Sequence, residues 1–192
     1  MEEKDAVLGN LVRAMNALRD CPEFALLIPE VRVNLVYALP EPRTRHDVAA
    51  IEGRITAVRG LPHASGMPEF GASDHMARLI IQVRETQTDI RAGINFKCDD
   101  TIIEVVKAHC AEKGYSFGDI DRTVEPAEVS GADGSSMPWK IAQLIERFGA
   151  VPRLFYEGDG WGKEPLFVAI GRDAVEVAEI ACAIARRYAH SV

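Results

Sequence analysis

Apolar residues fall on one stripe at the start of the chain. Leu8, Leu11, Val12, Met15 and Leu18 recur at three- and four-residue spacing, with Asn10, Arg13, Asn16 and Arg19 elsewhere, which predicts an amphipathic helix over 5–19. The pattern then changes. Residues 31–40, VRVNLVYALP, read as a buried strand stopped by Pro40. After the polar loop EPRTRHD, residues 53–60, GRITAVRG, predict a short strand between glycines. LPHASGMPEFGAS predicts a loop broken by Pro62, Gly66, Pro68 and Gly71. Helical spacing returns at Met76, Leu79, Ile80 and Val83, in a helix starting near Ser73. RAGINFK, 91–97, alternates Ala92, Ile94 and Phe96 and suits a strand with a polar outward face. Asp100 is placed to cap a helix through Ala111, with Gly114 just past its end. Another helix begins with Ser136 as N-cap and Pro138 in its first turn; Ile141, Leu144, Ile145 and Phe148 form its apolar face and Gly149 ends it. VPRLFYEG and LFVAIG are strands, and Asp173 with Glu176 resembles a capping box for a last helix reaching about His190. That helix is apolar nearly all round at 180–185, so burial is expected.

Alternating helices and strands imply an α/β domain with helices on both faces of a sheet; strand order is not encoded in the pattern. No linker divides the chain, so 1–192 is expected to be one domain, an N-terminal helix over 1–23 followed by a core over 24–190. With 47% apolar residues a sizeable core can be buried. The net charge of −7 argues against a nucleic-acid or membrane-surface binder, yet allows a small cationic pocket for an anionic metabolite. Cys21, Cys98, Cys110 and Cys182 are widely spaced, without metal or disulfide signatures, and fit a reducing cytoplasm. The acidic start MEEKDAVLGN does not read as a signal peptide, and no apolar run approaches the ~18 residues of a membrane span.

Four stretches could carry chemistry. In EFGASDHMAR, Ser73 as N-cap would put Asp74 and His75 in the first turn, where free N–H groups attract anions and disfavour imidazolium. The plain alternative is a structural histidine near a cap. In YEGDGWGKEP, Gly158, Gly160 and Gly162 precede Lys163, so backbone N–H groups and an ammonium could meet a phosphate. Gly-Asp-Gly is equally good hairpin chemistry, and the spacing is neither a Walker A loop nor a dinucleotide fingerprint. In DVAAIEGRIT, Arg54 beside Gly53 is either an ordinary edge arginine or a phosphate clamp. In RAGINFK, Gly93 before Asn95 can mark a close approach of ligand or backbone. Met137 and Trp139 read first as core. The remaining histidines form no metal-binding spacing, and no G-x-S-x-G elbow appears.

NLVYALP, DVAAIEGRIT, FGASDHMARLI, RAGINFK, GSSMPW and GWGKEP occur in an order that resembles the ThiN-type thiamine-phosphate synthase domain, over about residues 24–190. The resemblance implies a three-layer α/β/α sandwich with a mixed sheet, like that of class II aldolases. It implies condensation of hydroxymethylpyrimidine diphosphate with hydroxyethylthiazole phosphate to thiamine phosphate and diphosphate. The family's essential arginine and histidine correspond to Arg54 and His75. Lys163, Gly160, Gly162, Ser73, Asn95 and Met137 complete the candidate substrate-binding set, with Mg²⁺ expected alongside the diphosphate. Expected partners are phosphorylated small molecules, with neither nucleic acid nor membrane, and with a homo-oligomer allowed. Related domains also serve as thiamine-phosphate sensors behind helix-turn-helix modules. Only one clear helix precedes the resembling region, and both Arg54 and His75 are kept, which favours the enzyme. An aldolase-like metalloenzyme is disfavoured by the lack of a histidine cluster.

Overall fold

A computed structural model describes residues 2–124, 136–158 and 164–191. Its described strands are β1 (Leu35–Ala38), β2 (Val48–Ile51), β3 (Ile55–Val58), β4 (Leu61–Ala64), β5 (Pro68–Phe70), β6 (Ala92–Lys97), β7 (Phe117–Ile120), β8 (Leu154–Glu157) and β9 (Leu166–Gly171). Its described α-helices are α1 (Glu2–Arg19), α2 (His75–Arg84), α3 (Asp100–Lys113), α4 (Ser136–Phe148) and α5 (Ala174–Ala189). Seven strands form one sheet in the order β5-β2-β1-β6-β9-β8-β7, and β3 and β4 form a separate hairpin. Every pairing in the large sheet is antiparallel except β7 with β8. The sheet is therefore mixed.

Alternation along the strands creates two cores. Leu35, Ala92, Ile94, Phe96, Leu154, Phe167 and Ala169 face α1, α3 and α5. Val36, Ala38, Phe155, Val168 and Ile170 face α2 and α4. The result is the expected three-layer α/β/α arrangement. The first core is the larger, because α1 lays Val7, Leu11, Ala14 and Leu18 against the nearly all-apolar α5. Asn10 of α1 adds a polar tie, its Oδ1 accepting from the N–H groups of Ala174 (2.9 Å) and Val175 (3.3 Å) at the start of α5.

Several local expectations are corrected. The stretch read as a loop after Gly60 contains β4 and β5, and β2 precedes Gly53 as a strand of its own. Here pairing partners outweigh the breakers: Pro68 sits at the end of an edge strand, where its missing N–H costs nothing. Ser73 is not the cap of α2. Asp74 takes that position without a side-chain cap bond, and the Ser73 hydroxyl instead accepts from Asn34 Nδ2 at 2.8 Å. Asp99, not Asp100, caps α3, accepting from the Ile102 N–H. α4 already includes Ser136 as a helical residue, and Phe148 at its end is exposed. The β6 strand has no polar outward face. Asn95 is 5% exposed because α2 and α4 cover that side of the sheet. Gly93 does mark a close approach, of α2 itself. A Cβ there would lie 3.0 Å from Met76 Cε and 3.1 Å from Ile80 Cδ1.

Asp173 caps α5 as expected, but Glu176 does not close the box. Its carboxylate accepts from the Arg172 N–H at 2.7 Å and pairs with Arg153 at 2.5 Å and Arg172 at 3.1 Å. Burial pushes the Glu176 pKa up, but these bonds outweigh it and hold the carboxyl below its ordinary value of 4.5. Asp47 is held low as well, by the N–H groups of Thr44 and Arg43. Both groups bind protons more weakly folded than unfolded. Their contribution is present above the ordinary carboxylate range and is lost as pH falls through the depressed folded values. Thermal melts should therefore show a Tm that drops as pH falls below 4.5, with a shallower drop in Glu176→Gln. An unchanged slope would remove Glu176 from the account.

All four cysteines are free and buried. Burial raises the Cys110 thiol to about 11 and the Cys182 thiol further. Thiolate is therefore scarce at neutral pH. Native protein should react with a disulfide-exchange thiol reagent only as fast as it unfolds, with all four thiols appearing in denaturant. A fast native phase would contradict the burial.

Candidate functional site

The site is built by register. β1 and β9 begin, and β6 and β8 end, at the same end of the sheet. The residues there that face α2 and α4 are Asn34 just before β1, Asn95 of β6, Leu166 and Val168 of β9, and Glu157 of β8. Asn95 pairs with Val168, and Glu157 with Leu166. All five line a cavity of about 350 Å³ whose walls include Val31, Arg54, Asp74, His75, Arg78, Arg122, Met137 and Lys140. Of the sequence candidates, Arg54, His75, Asn95 and Met137 thus meet in one place.

Arg54 comes from the turn between β2 and β3. Gly53 and Arg54 both take the left-handed conformation, at φ 66° and 68°. For arginine this costs on the order of 1 kcal/mol, and the residue lines the cavity. Gly53 has a packing reason too, since a Cβ there would lie 2.9 Å from Ser65 Cβ. Arg54 Nη1 donates to the Val31 carbonyl at 2.6 Å. No carboxylate pairs with it among the described residues, so most of its five donors stay available for an anion.

The segment before β1 is held from several sides. Glu164 accepts from the N–H groups of Glu30 (3.1 Å) and Val31 (3.2 Å). The Asn34 N–H donates to Asn95 Oδ1 at 2.5 Å, while Asn95 Nδ2 donates to the Arg32 carbonyl at 3.3 Å. Asn34 carries the chain of bonds on to Ser73, which is 4% exposed and lies behind the cavity lining. Ser73 and Asn95 therefore lock the rim carrying Val31, and through it Arg54.

His75 is the first residue of α2 and is exposed toward the cavity. Asp74 beside it pairs with Arg78 at 2.9 Å, one turn on. Arg122 follows β7, and its segment is pinned to α4 by Gln143, which accepts from the Asp121 N–H and donates to the Asp121 carbonyl. Lys163, Gly160 and Gly162 lie outside the described residues.

The sequence reading missed Lys140 and Glu157. Lys140 is 3% exposed and forms an ion pair with Glu157 in the cavity. The signal was present: on α4, a lysine interrupts the buried stripe of Met137, Ile141 and Leu144. Arg78, Arg122 and Asn34 were missed as well, and no spacing rule would have found them.

In a chain of charge −7, this cavity gathers Arg54, Arg78, Arg122, Lys140 and His75 against Asp74, Glu157 and Glu164. Each of the three carboxylates is already engaged, by Arg78, by Lys140 and by two backbone N–H groups. The cavity thus suits a phosphorylated ligand. No cluster of three metal-ligating side chains occurs among the described residues, so the donor set does not make a protein cage for Mg²⁺.

The family model described as thiamine-phosphate synthase ThiN matches residues 10–183. The chain belongs to the ThiN family. The thiamine-phosphate synthase ThiN of Methanothermobacter thermautotrophicus is 41% identical over 181 residues, covering 94% of this chain and 93% of that protein. The bifunctional thiamine biosynthesis protein ThiDN of Methanocaldococcus jannaschii is 38% identical over 175 residues, 91% of this chain but 39% of its own length. Among solved structures, the C-terminal domain of a phosphomethylpyrimidine kinase superposes with a TM-score of 0.89 at 34% identity, over 95% of this chain and all of that one. No described helix of this ThiN-family chain is long and apolar enough to cross a membrane.

Proposed function

We propose that the protein is a thiamine-phosphate synthase, joining hydroxymethylpyrimidine diphosphate to hydroxyethylthiazole phosphate with release of diphosphate. The observation that carries this reading is the meeting of Arg54 and His75, from two separate motifs, in one cationic cavity of a ThiN-family fold.

The reaction needs little covalent help from protein. The bond between the pyrimidine methylene and a diphosphate oxygen breaks, and its electron pair leaves with the diphosphate. The thiazole nitrogen lone pair forms the new C–N bond, and the positive charge ends on the thiazolium ring. Catalysis is then a matter of placing two rings in line and stabilising the leaving charge. Arg54 clamps the diphosphate with its free donors. His75, at the mouth of α2, donates a hydrogen bond or proton to the departing oxygens. Lys163 adds a point charge with the backbone N–H groups at Gly160 and Gly162. Met137 packs on a substrate ring, Asn95 offers its second amide N–H, and Ser73 acts through Asn34. Mg²⁺ entering with the diphosphate would supply charge neutralisation of the leaving group without a cage of protein ligands, beside Arg54 and His75. A reducing cytoplasm suits the four free thiols.

The test is product formation. Purified protein, both substrates and Mg²⁺ should yield thiamine phosphate, followed by chromatography. Tight binding of thiamine phosphate without turnover would replace the synthase by a sensor.

A further inference from the structure

The Lys140–Glu157 pair lines the cavity, and the leaving-group chemistry does not use it. It is expensive. Lys140 is 3% and Glu157 14% exposed, and desolvating two such charges offsets much of their attraction. A hydrophobic pair of the same volume would serve the fold as well or better. The pair is also unsaturated. One ammonium N–H meets Glu157 Oε2. That leaves two N–H donors and Oε1 with no hydrogen-bond partner among the described residues, on groups that line the cavity. The cavity therefore holds a strong donor directly beside a strong acceptor, next to the apolar surfaces of Met137, Leu166 and Val168.

A ligand edge complementary to this pair must carry a donor next to an acceptor on a flat, otherwise apolar body. An amino-substituted pyrimidine has that edge: an exocyclic NH₂ adjacent to a ring nitrogen. A thiazole has not, because its ring offers acceptors but no N–H, and would leave Glu157 Oε1 without a donor. We infer that Lys140 and Glu157 form the recognition site for the aminopyrimidine ring, Glu157 accepting from the amino group and Lys140 donating to the adjacent ring nitrogen. The pair then decides which of the two rings occupies the sheet side of the cavity. The thiazole phosphate is left the other side. This assignment rests on the synthase reading for its substrate, and on the cavity geometry for its residues.

The experiment compares two ligands by calorimetry: hydroxymethylpyrimidine monophosphate and the same molecule with hydrogen in place of the amino group. Wild-type protein should prefer the amino compound by about 30-fold or more, since the analogue leaves a charged acceptor unpaired. Changing Glu157 alone would bury an unpaired lysine and risks the fold. The variant is therefore Lys140→Met with Glu157→Leu, which removes both charges together. It should bind both ligands within about threefold of each other, the amino advantage having been lost with its partners. Its calorimetric affinity for hydroxyethylthiazole phosphate should stay within about threefold of wild type. Equal binding of the two ligands by wild type, or no binding of either, overturns the inference even if thiamine phosphate is made. An amino preference that vanishes in the double variant supports it even if no thiamine phosphate is made, and the synthase reading alone then fails.

Discussion

His75→Ala should lower kcat by about 10²–10⁴-fold, the range of a lost general acid or charge-stabilising donor, with the fold intact. His75 is exposed on the first turn of α2, and its neighbours Met76, Ala77, Leu79 and Ile80 carry the helix's packing. Removing the ring therefore leaves the core untouched. Arg54→Ala should act similarly, by about 10²–10³-fold, and should also raise KM for the diphosphate substrate, because a clamp binds before and during bond breaking. Alanine at a φ of 68° keeps the strain that arginine bears. Arg54→Lys should recover little, since one ammonium cannot reproduce a planar fork of donors. The measurement is steady-state formation of thiamine phosphate with both substrates varied, beside a circular-dichroism melt. Wild-type turnover in both alanine variants would move the chemistry elsewhere in the cavity. A melt shifted far downward would make the loss structural instead.

The largest effect on stability is expected for Phe167→Ala. Phe167 is fully buried in the centre of the sheet, on the face opposite the cavity. Its ring stacks on Phe96 at 5.3 Å and meets Tyr156 at 5.3 Å and Phe117 at 6.3 Å, in a tilted arrangement. Truncation removes the transfer energy and opens a hole in a layer held by α1, α3 and α5, for a cost of about 3–5 kcal/mol. At about 2–4 °C per kcal/mol for a chain of this size, Tm should fall by roughly 6–20 °C. Substrate KM below the new Tm should change little, because Leu166 and Val168, on either side, point to the other layer. A Tm within about 2 °C of wild type would mean that the layer collapses to fill the hole. A large rise in KM would mean that the two faces of β9 are coupled.

The helices show how far periodicity reaches. α1, α2, α3, α4 and α5 all appear where apolar spacing put them, to within a few residues at their ends. Helical bonds are local, and an amphipathic stripe states its own burial. The misplaced caps, Asp99 for Asp100 and Asp74 for Ser73, differ by one residue, and a choice between neighbouring polar side chains depends on the entering chain. β2, β4 and β5 were hidden for a different reason. Three- and four-residue strands built on Ala and Pro carry almost no pattern, and exist because a neighbour supplies their ladder bonds.

The site divides in the same way. The order of the motifs named the family, and with it Arg54 and His75 as residues to watch. What the sequence determined by itself is the set of helices, which depend on neighbours close along the chain, and from their alternation with strands the layered α/β class; Arg54 and His75 came as expectations of the family resemblance. Only the tertiary structure decided that Asn34, Asn95, Leu166, Val168 and Glu157 share one end of the sheet, and that Lys140 reaches Glu157 there across 17 positions. Those residues come from different strands and a covering helix. Strand order and register, set by long-range pairing, brought them together, and no spacing within a single segment records that choice.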